Sequence, residues 1–153
     1  MKVILISILI TLTITPSHSQ QVDYNLQKGY IAEGFDLVSY FNNKNPVKGK
    51  TEYSLQYDGI TFLFANEENL KLFQSDPQKY LPQYGGWCAY AMGTKGEKVS
   101  VDPKTYEIRD GKLYLFYNAY FNNTLDSWKK EGPEKLRSQA DNNWGKIKFK
   151  KSE

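Results

Sequence analysis

The stretch TEYSLQYDGITFLFAN, residues 51–66, decides the fold because it encodes a complete β-hairpin. Alternation of apolar and polar residues with a period of two is typical of a strand that buries one face. Asp58-Gly59 lies at the centre of the alternation, and Asp-Gly is a preferred pair for a two-residue hairpin turn. The alternating apolar residues are Tyr53, Leu55 and Tyr57 before the turn, then Ile60, Phe62 and Phe64 after it.

A second hairpin is predicted at residues 106–118, where YEIRDGKLYLFYN surrounds another Asp-Gly pair, Asp110-Gly111. Beyond these two hairpins the sequence shows no internal repeat. Its other Asp residues, such as Asp36 and Asp102, are interpreted as turn and cap residues, because their spacing does not pair carboxylates for acid–base catalysis.

Short helices are predicted around the hairpins. Asn66 is a good N-cap for a helix that packs through Leu70 and Phe73, and Asp76-Pro77 starts another. A third helix follows Gly85-Gly86 and is expected to stop at Gly93. Two more helices are separated at Gly132-Pro133, with shared faces of Phe121, Leu125 and Trp128 in the first and Leu136, Ala140 and Trp144 in the second. The fold class is therefore α+β, a small single domain of antiparallel β-hairpins packed by several short helices.

The N-terminus has the pattern of a signal peptide. Lys2 precedes an apolar run from Val3 to Ile14, too short to span a bilayer, and Ser17 and Ser19 stand at the −3 and −1 positions of a cleavage site. We expect cleavage after Ser19 and a secreted or periplasmic protein without stable membrane insertion. The predicted organisation is a signal peptide at 1–19, a flexible segment at 20–33, the folded domain at 34–145 and a basic tail at 146–153.

Composition excludes several classes of function. The only histidine, His18, would leave with the signal peptide, so the hydrolase triads have no base and histidine metal sites have no ligands. The net charge of +3 is too small to indicate a nucleic-acid partner. We therefore expect a protein that is not an enzyme.

Cys88 is the only cysteine, and Met92 is the only methionine after Met1. One hypothesis makes the two a soft-metal site for Cu(I), because a helix would bring residues four apart onto one face and a thiolate with a thioether suits that ion. The other hypothesis makes Cys88 a packed, slow-reacting core thiol, since cysteine is among the most often buried residues. Neither hypothesis establishes a cofactor, and Cu(I) is the only candidate.

The chain is rich in aromatic residues, with 12 Tyr, 8 Phe and 3 Trp. Most of them are expected to fill the core of a small domain. A subset is also predicted to line a ligand pocket or a surface for an envelope protein: Tyr84, Trp87, Tyr90 and Trp128.

Three segments resemble the exported, stand-alone YHS domain proteins of bacteria: GFDLVSYF at 34–41, the run from Tyr53 through YGGWCAYAM at 84–92, and VDPKTYEIRDGKLYLFYN at 101–118. The resemblance spans about Gly34 to Trp144. It implies a link to soft-metal handling, because YHS domains accompany copper-transporting ATPases and other metal proteins. In the metal-type members three cysteines stand where this chain has Ser39, Ala65 and Asn69. The resemblance therefore implies a binding module of the cell envelope from which the usual thiolate ligands are missing.

Overall fold

The computed structural model describes residues 20–42 and 45–150 and confirms an α+β fold. In these residues, four two-stranded antiparallel sheets are interspersed with helices, of which all but α6 are short. The strands are β1 (Leu26–Gln27), β2 (Tyr30–Ile31), β3 (Lys50–Tyr57), β4 (Ile60–Phe64), β5 (Asp102–Arg109), β6 (Lys112–Phe116), β7 (Asn118–Ala119) and β8 (Asn122–Asn123). The α-helices are α1 (Ser39–Asn42), α2 (Glu67–Ser75), α3 (Pro77–Tyr80), α4 (Ala89–Thr94), α5 (Thr124–Glu131) and α6 (Pro133–Ile147). Within the described part of the chain, no helix combines the length and hydropathy needed to cross a membrane.

Both predicted hairpins are confirmed, and they have the same internal geometry. In the pair β3–β4 a bulge lies between Lys50 and Ser54, and Tyr57 pairs with Ile60 across the Asp58-Gly59 turn. In the pair β5–β6 the bulge lies between Asp102 and Tyr106, and Arg109 pairs with Lys112 across the Asp110-Gly111 turn. Every pair of the second hairpin lies 52 positions after its counterpart in the first.

The same spacing extends to the residues before each hairpin. Three consecutive residues have positive φ at Ala32–Gly34 (47°, 51° and 77°) and again at Tyr84–Gly86 (56°, 61° and 83°). Two residues later, the Asp36 N–H donates to the Val47 carbonyl and the Cys88 N–H donates to the Val99 carbonyl, each at 2.9 Å. A short helix follows in both places, α1 and α4.

The equivalence continues, with insertions, into the helices that follow. Asn66 caps α2 by accepting the Asn69 N–H, and Asn123 caps α5 by accepting the Leu125 N–H. A helix with proline in its first turn comes next in both places, α3 and α6. The molecule therefore contains two similar units, the first unit at residues 32–80 and the second unit at residues 84–147. The sequence-based expectation of no repeat beyond the hairpins was wrong.

The core forms two hydrophobic clusters, one centred in each unit, although the cluster of the first hairpin also includes Cys88, Val101 and Leu115 of the second unit. One cluster centres on Phe62, Phe64 and Phe73 of the first unit, and the other centres on Tyr114, Phe116 and Trp128 of the second. Phe62 and Phe64 occupy the same places in their hairpin as Tyr114 and Phe116 do in theirs. Each hairpin therefore presents a pair of aromatic residues to its own helices.

Two predicted helix details differ in the structure. Phe121 does not share a face of α5, because it lies in the turn between β7 and β8 and is fully exposed. Gly93 does not end α4, which continues to Thr94. A Cβ at Gly93 would lie 2.7 Å from the Leu136 carbonyl oxygen, so this glycine allows α6 to approach α4 closely.

The chain ends also differ from the flexible segment and free tail that the sequence predicts. Val22 pairs with Phe149, and backbone N–H groups of Asp23 and Lys150 donate to carbonyls of the opposite end. Asn25 is buried and donates to the Gly86 carbonyl. Segment 20–31 is therefore docked, on the second unit through these contacts and on the first unit through Ile31 and the hydrogen bond from Tyr24 to Asp58. The predicted signal peptide, 1–19, and the last tail residues, 151–153, lie outside the described residues.

Candidate functional site

Asp36 connects the elements of the first unit. It is fully buried, and its Oδ1 accepts the Val38 N–H at 2.9 Å. Its Oδ2 accepts the Ala65 N–H at 2.9 Å, just after β4, and the Asn69 side-chain amide at 2.6 Å, in α2. One carboxyl group therefore ties the start of α1 to the end of the hairpin and to the next helix. Interpreting Asp36 only as a turn residue missed this role, which no spacing in the sequence signals.

The three positions that carry cysteines in metal-type YHS domains lie around this carboxyl group. The Ser39 hydroxyl donates to the Asp36 carbonyl at 2.6 Å, while Ala65 and Asn69 donate to the side chain. These residues offer no thiolate, and both carboxyl oxygens already accept hydrogen bonds. The donor set does not fit a soft metal, which prefers sulfur ligands. In the described residues there is also no group of three or more His, Cys, Asp or Glu that could hold a metal ion.

Cys88 occupies in the second unit the position that Asp36 occupies in the first. It is the N-cap residue of α4, and none of its surface is exposed. The Tyr117 N–H, just after β6, donates to Sγ at 3.4 Å, as the Ala65 N–H donates to Asp36. Sγ also lies 3.4 Å from Oγ1 of Thr124, the first residue of α5.

The direction of these bonds follows from Thr124. Its hydroxyl donates to the Tyr117 carbonyl at 2.8 Å, and a hydroxyl has only one proton to give. The Cys88 S–H is therefore the donor to Oγ1. The thiol accepts one hydrogen bond and donates another within a closed network of Cys88, Thr124 and Tyr117.

Met92 is also fully buried, but it belongs to the other hydrophobic cluster. Cys88 packs in the cluster of the first hairpin, whereas Met92 packs with Tyr114, Phe116 and Trp128. The hydrogen bond from the Met92 N–H to the Cys88 carbonyl, at 3.0 Å, places the two residues one helical turn apart. The two sulfur atoms nevertheless have different surroundings, and neither residue presents surface to water.

The structure distributes the four aromatic residues predicted for a pocket. Trp128 has no exposed surface and donates its indole N–H to Glu107. Trp87 donates to the Asp23 carbonyl and so holds the N-terminal segment. Tyr84 and Tyr90 line two different clefts.

The first of these, the Cys88 cleft, has a volume of about 260 Å³ and lies between α4 and the β6–α5 connection. Its Tyr90 hydroxyl donates to Glu131, and that hydrogen bond, with burial, raises the pKa of Tyr90. Cys88 borders the cleft but has zero exposed area, because neighbouring residues cover it. The lining residues are Cys88, Tyr90, Ala91, Thr94, Lys95, Glu97, Val99, Tyr117, Asn122 and Thr124.

The second, the Tyr84 cleft, has a volume of about 350 Å³ and lies where the N-terminal segment meets α6. Burial first, and then the hydrogen bond from its hydroxyl to Asp141 at 2.9 Å, raise the pKa of Tyr84 well above the usual range. Tyr24 and Trp144 supply further aromatic walls, and polar groups come from Gln78, Gln83, Asp141 and Lys148.

Comparison with known protein families assigns part of the chain. A YHS domain is found at residues 38–84. The YHS domain is a family associated with metal handling, copper included. The match covers most of the first unit and ends where the second begins, so the second unit stands outside the recognised domain. No curated protein and no solved structure matches the chain.

Proposed function

We propose that this protein is an exported, non-catalytic binding module of the bacterial cell envelope that takes a non-metal ligand or partner. The observation that carries the proposal is the state of Cys88. Its thiol is sealed and both of its hydrogen-bonding capacities are used inside the fold. A thiol in that state serves a structural role, and the chain's only histidine, His18, lies in the proposed signal peptide and would leave with it.

The Tyr84 cleft is the place that best suits a small ligand. Its volume lies within the range of about 300–1,000 Å³ that is typical of small-molecule sites. Aromatic walls with a few convergent amide, carboxyl and ammonium groups suit a small polar molecule with one flat or apolar face.

Soft-metal binding is the second candidate. It is favoured by the YHS domain itself and by the position of Cys88 next to a cleft, one helical turn before Met92. Two sulfur ligands suit Cu(I) better than zinc, which takes four ligands in structural sites. Binding there would require the hydrogen bonds of the thiol to break.

Anaerobic titration with Cu(I) against a competing chelator separates the two candidates. We expect the wild-type protein and Cys88→Ala to compete equally weakly. Met92→Leu, which preserves volume, is the matched control for the thioether. One Cu(I) retained by the wild type and lost by Cys88→Ala would reverse the order of the two candidates.

Ligand binding in the Tyr84 cleft is tested by NMR with a panel of neutral sugars and amino acids. Binding should shift the indole N–H signal of Trp144 and the side-chain amides of Gln78 and Gln83. The indole signals of Trp87 and Trp128, which are engaged with Asp23 and Glu107, serve as internal controls. A panel that moves none of the cleft signals counts against this site.

The export step is tested by the intact mass of the protein recovered from the envelope fraction. Cleavage after Ser19 gives a chain that begins at Gln20. Recovery of a species that still carries Lys2 would contradict the proposed signal peptide.

A further inference from the structure

The turn between β7 and β8 is unlike the other hairpin turns of the described chain. Each of the four turns places two successive residues at positive φ. The other three end in glycine: Lys28-Gly29, Asp58-Gly59 and Asp110-Gly111. This one has Tyr120 at φ 50° and Phe121 at φ 62°. Such turns favour Asn-Gly or Asp-Gly because other residues are strained at positive φ. Tyr120-Phe121 therefore destabilises the turn that it forms.

The two side chains gain nothing from burial to offset that strain. Tyr120 is 92% exposed and Phe121 is 112% exposed, the largest exposures among the large hydrophobic residues of the described chain. The surrounding sequence YNAYFNNTL, residues 117–125, contains no charged residue. Aromatic residues with adaptable amide neighbours and few charges are typical of surfaces that bind another protein. A membrane surface would be expected to add basic residues.

The first unit has no counterpart of this hairpin. There the chain passes from Phe64 at the end of β4 directly to the Asn66 cap of α2, whereas β7 and β8 lie between Phe116 and the Asn123 cap of α5. The hairpin is therefore not needed to connect the strand to the helix. Its exposed, strained tip is a feature of the second unit alone.

A complementary recess lies beside this tip. The Cys88 cleft includes Tyr117, Asn122 and Thr124, which flank the tip, and its apolar walls include Tyr90 and Val99. At about 260 Å³ the cleft falls below the range for drug-sized ligands but suits the insertion of a side chain. Its charged residues, Lys95 and Glu97, have opposite signs.

We propose that this face is an interface between two copies of the chain, with Phe121 of each copy entering the Cys88 cleft of the other and Tyr120 packing against the rim of that cleft. The projection and the recess share one hairpin, so a two-fold axis between them makes both insertions at once. Such a reciprocal contact closes after two copies. This interface does not depend on the ligand of the Tyr84 cleft, so it is tested independently of the proposed function.

Sedimentation equilibrium over a wide range of concentrations tests the interface, using protein purified after expression of the full chain. We expect a monomer–dimer equilibrium for the wild type. The variant Tyr120→Asn/Phe121→Gly should weaken it by at least about tenfold, which corresponds to about 1.4 kcal/mol. Asn-Gly is favoured in this turn, so the variant should fold, as circular dichroism will show. The control Ile108→Thr removes apolar surface from β5, away from the tip, and should leave the equilibrium unchanged.

A mixing experiment tests the arrangement of the interface. Thr94→Trp should fill the cleft from its exposed rim and also give a monomer. An equimolar mixture of the tip variant and the cleft variant retains one intact tip and one intact cleft, so it should associate more strongly than either variant alone.

Three results would overturn the proposal. The first is a wild-type protein that stays monomeric at every concentration. A monomeric wild-type protein that binds neutral lipid vesicles through the tip counts as the same result. The second is a tip variant that dimerises like the wild type. The third is a mixture that stays monomeric, because a tip packed against another tip needs both tips intact and would not be restored by mixing.

Discussion

Each unit has one buried side chain, called its joint here, that links the end of the hairpin to the helix after it. The two units use different atoms for this joint. In the first unit a carboxyl group, Asp36, accepts the N–H that follows the hairpin, and in the second unit a thiol, Cys88, accepts it. Both residues are fully buried. Each also contacts the helix that follows its hairpin, α2 for Asp36 and α5 for Cys88. The position of the single cysteine is thus explained by the fold, in which its thiol links the residue after the hairpin to the first residue of α5.

The difference between the joints lies in strength. The Asp36 carboxyl group accepts three hydrogen bonds, two from backbone N–H groups and one from a side-chain amide, whereas the weakly polar sulfur of Cys88 accepts one and donates one. Hydrogen bonds to a carboxylate are about twice as strong as those between neutral groups. The first unit should therefore depend more on its joint than the second.

The largest effect is expected for Asp36→Ala. Three buried donors would lose their acceptor, and we expect the free energy of unfolding to fall by about 3–5 kcal/mol. Urea denaturation followed by circular dichroism measures the loss. Glu52→Ala, on the exposed face of β3 where the carboxyl group makes only an exposed ion pair with Lys50, is the control for removal of a carboxyl group. A loss below about 1 kcal/mol for Asp36→Ala would show that the joint does not hold the first unit together.

Cys88→Ala is expected to cost about 1–3 kcal/mol, because the half-buried Tyr117 N–H loses its acceptor and a small cavity remains. Cys88→Ser should cost less, since a hydroxyl can both accept from Tyr117 and donate to Thr124. From the sequence alone the opposite order is expected, because a sulfur packed only by apolar groups offers a hydroxyl no partner. Urea denaturation of both variants decides the order, and a less stable serine variant would mean that packing dominates.

The fold class, both hairpins, the Asn66 cap and the break at Gly132 could be predicted, because each depends on a local signal such as Asp-Gly or Asn before an apolar helix. The second unit could not. Its left-handed turn is made by Tyr84-Gly85-Gly86 where the first unit has Ala32-Glu33-Gly34, and a glycine is not required when the surroundings hold the turn. Outside the Asp-Gly turns, few residues are identical at equivalent positions of the two units.

The candidate site was harder to predict than the fold. Cys88 and Tyr84 stand out in the sequence by residue type, but their surroundings depend on contacts between distant segments, such as Thr124 with Cys88 and Asp141 with Tyr84. Phe121 was assigned to a helix face because the spacing to Leu125 fits. The Asn123 cap starts the helix after it and leaves Phe121 in a turn.

The two units also differ in the packing of the helix that follows the joint, α1 in the first unit and α4 in the second. Gly93 in α4 corresponds to Phe41 in the first unit, where the later helix, α3, is short. In the second unit the long helix α6 passes so close that a Cβ at Gly93 would meet the Leu136 carbonyl. Gly93→Ala should therefore destabilise the protein by about 1–2 kcal/mol, the overpacking cost less the helix preference of alanine.

Gly145→Ala is the matched control, because it lies in α6 with no atom within 4 Å of the new Cβ. It should stabilise the protein by up to about 1 kcal/mol. Thermal unfolding of the two variants measures both changes. Equal effects of the two substitutions would contradict the close packing of α4 and α6.

The smallest effects concern the turns of the second unit, Asp110-Gly111 and Tyr120-Phe121. Gly111 has φ of 70° and open space around it, so Gly111→Ala introduces backbone strain alone and should cost about 1 kcal/mol. Phe121→Gly removes the same strain and should raise the stability of the isolated monomer by a similar amount, because the exposed ring contributes no packing. Both are measured by urea denaturation at concentrations low enough to keep the protein monomeric. A Phe121→Gly variant that is less stable than the wild type as a monomer would mean that the ring supports its own chain, and the exposed tip would then need no partner to explain it.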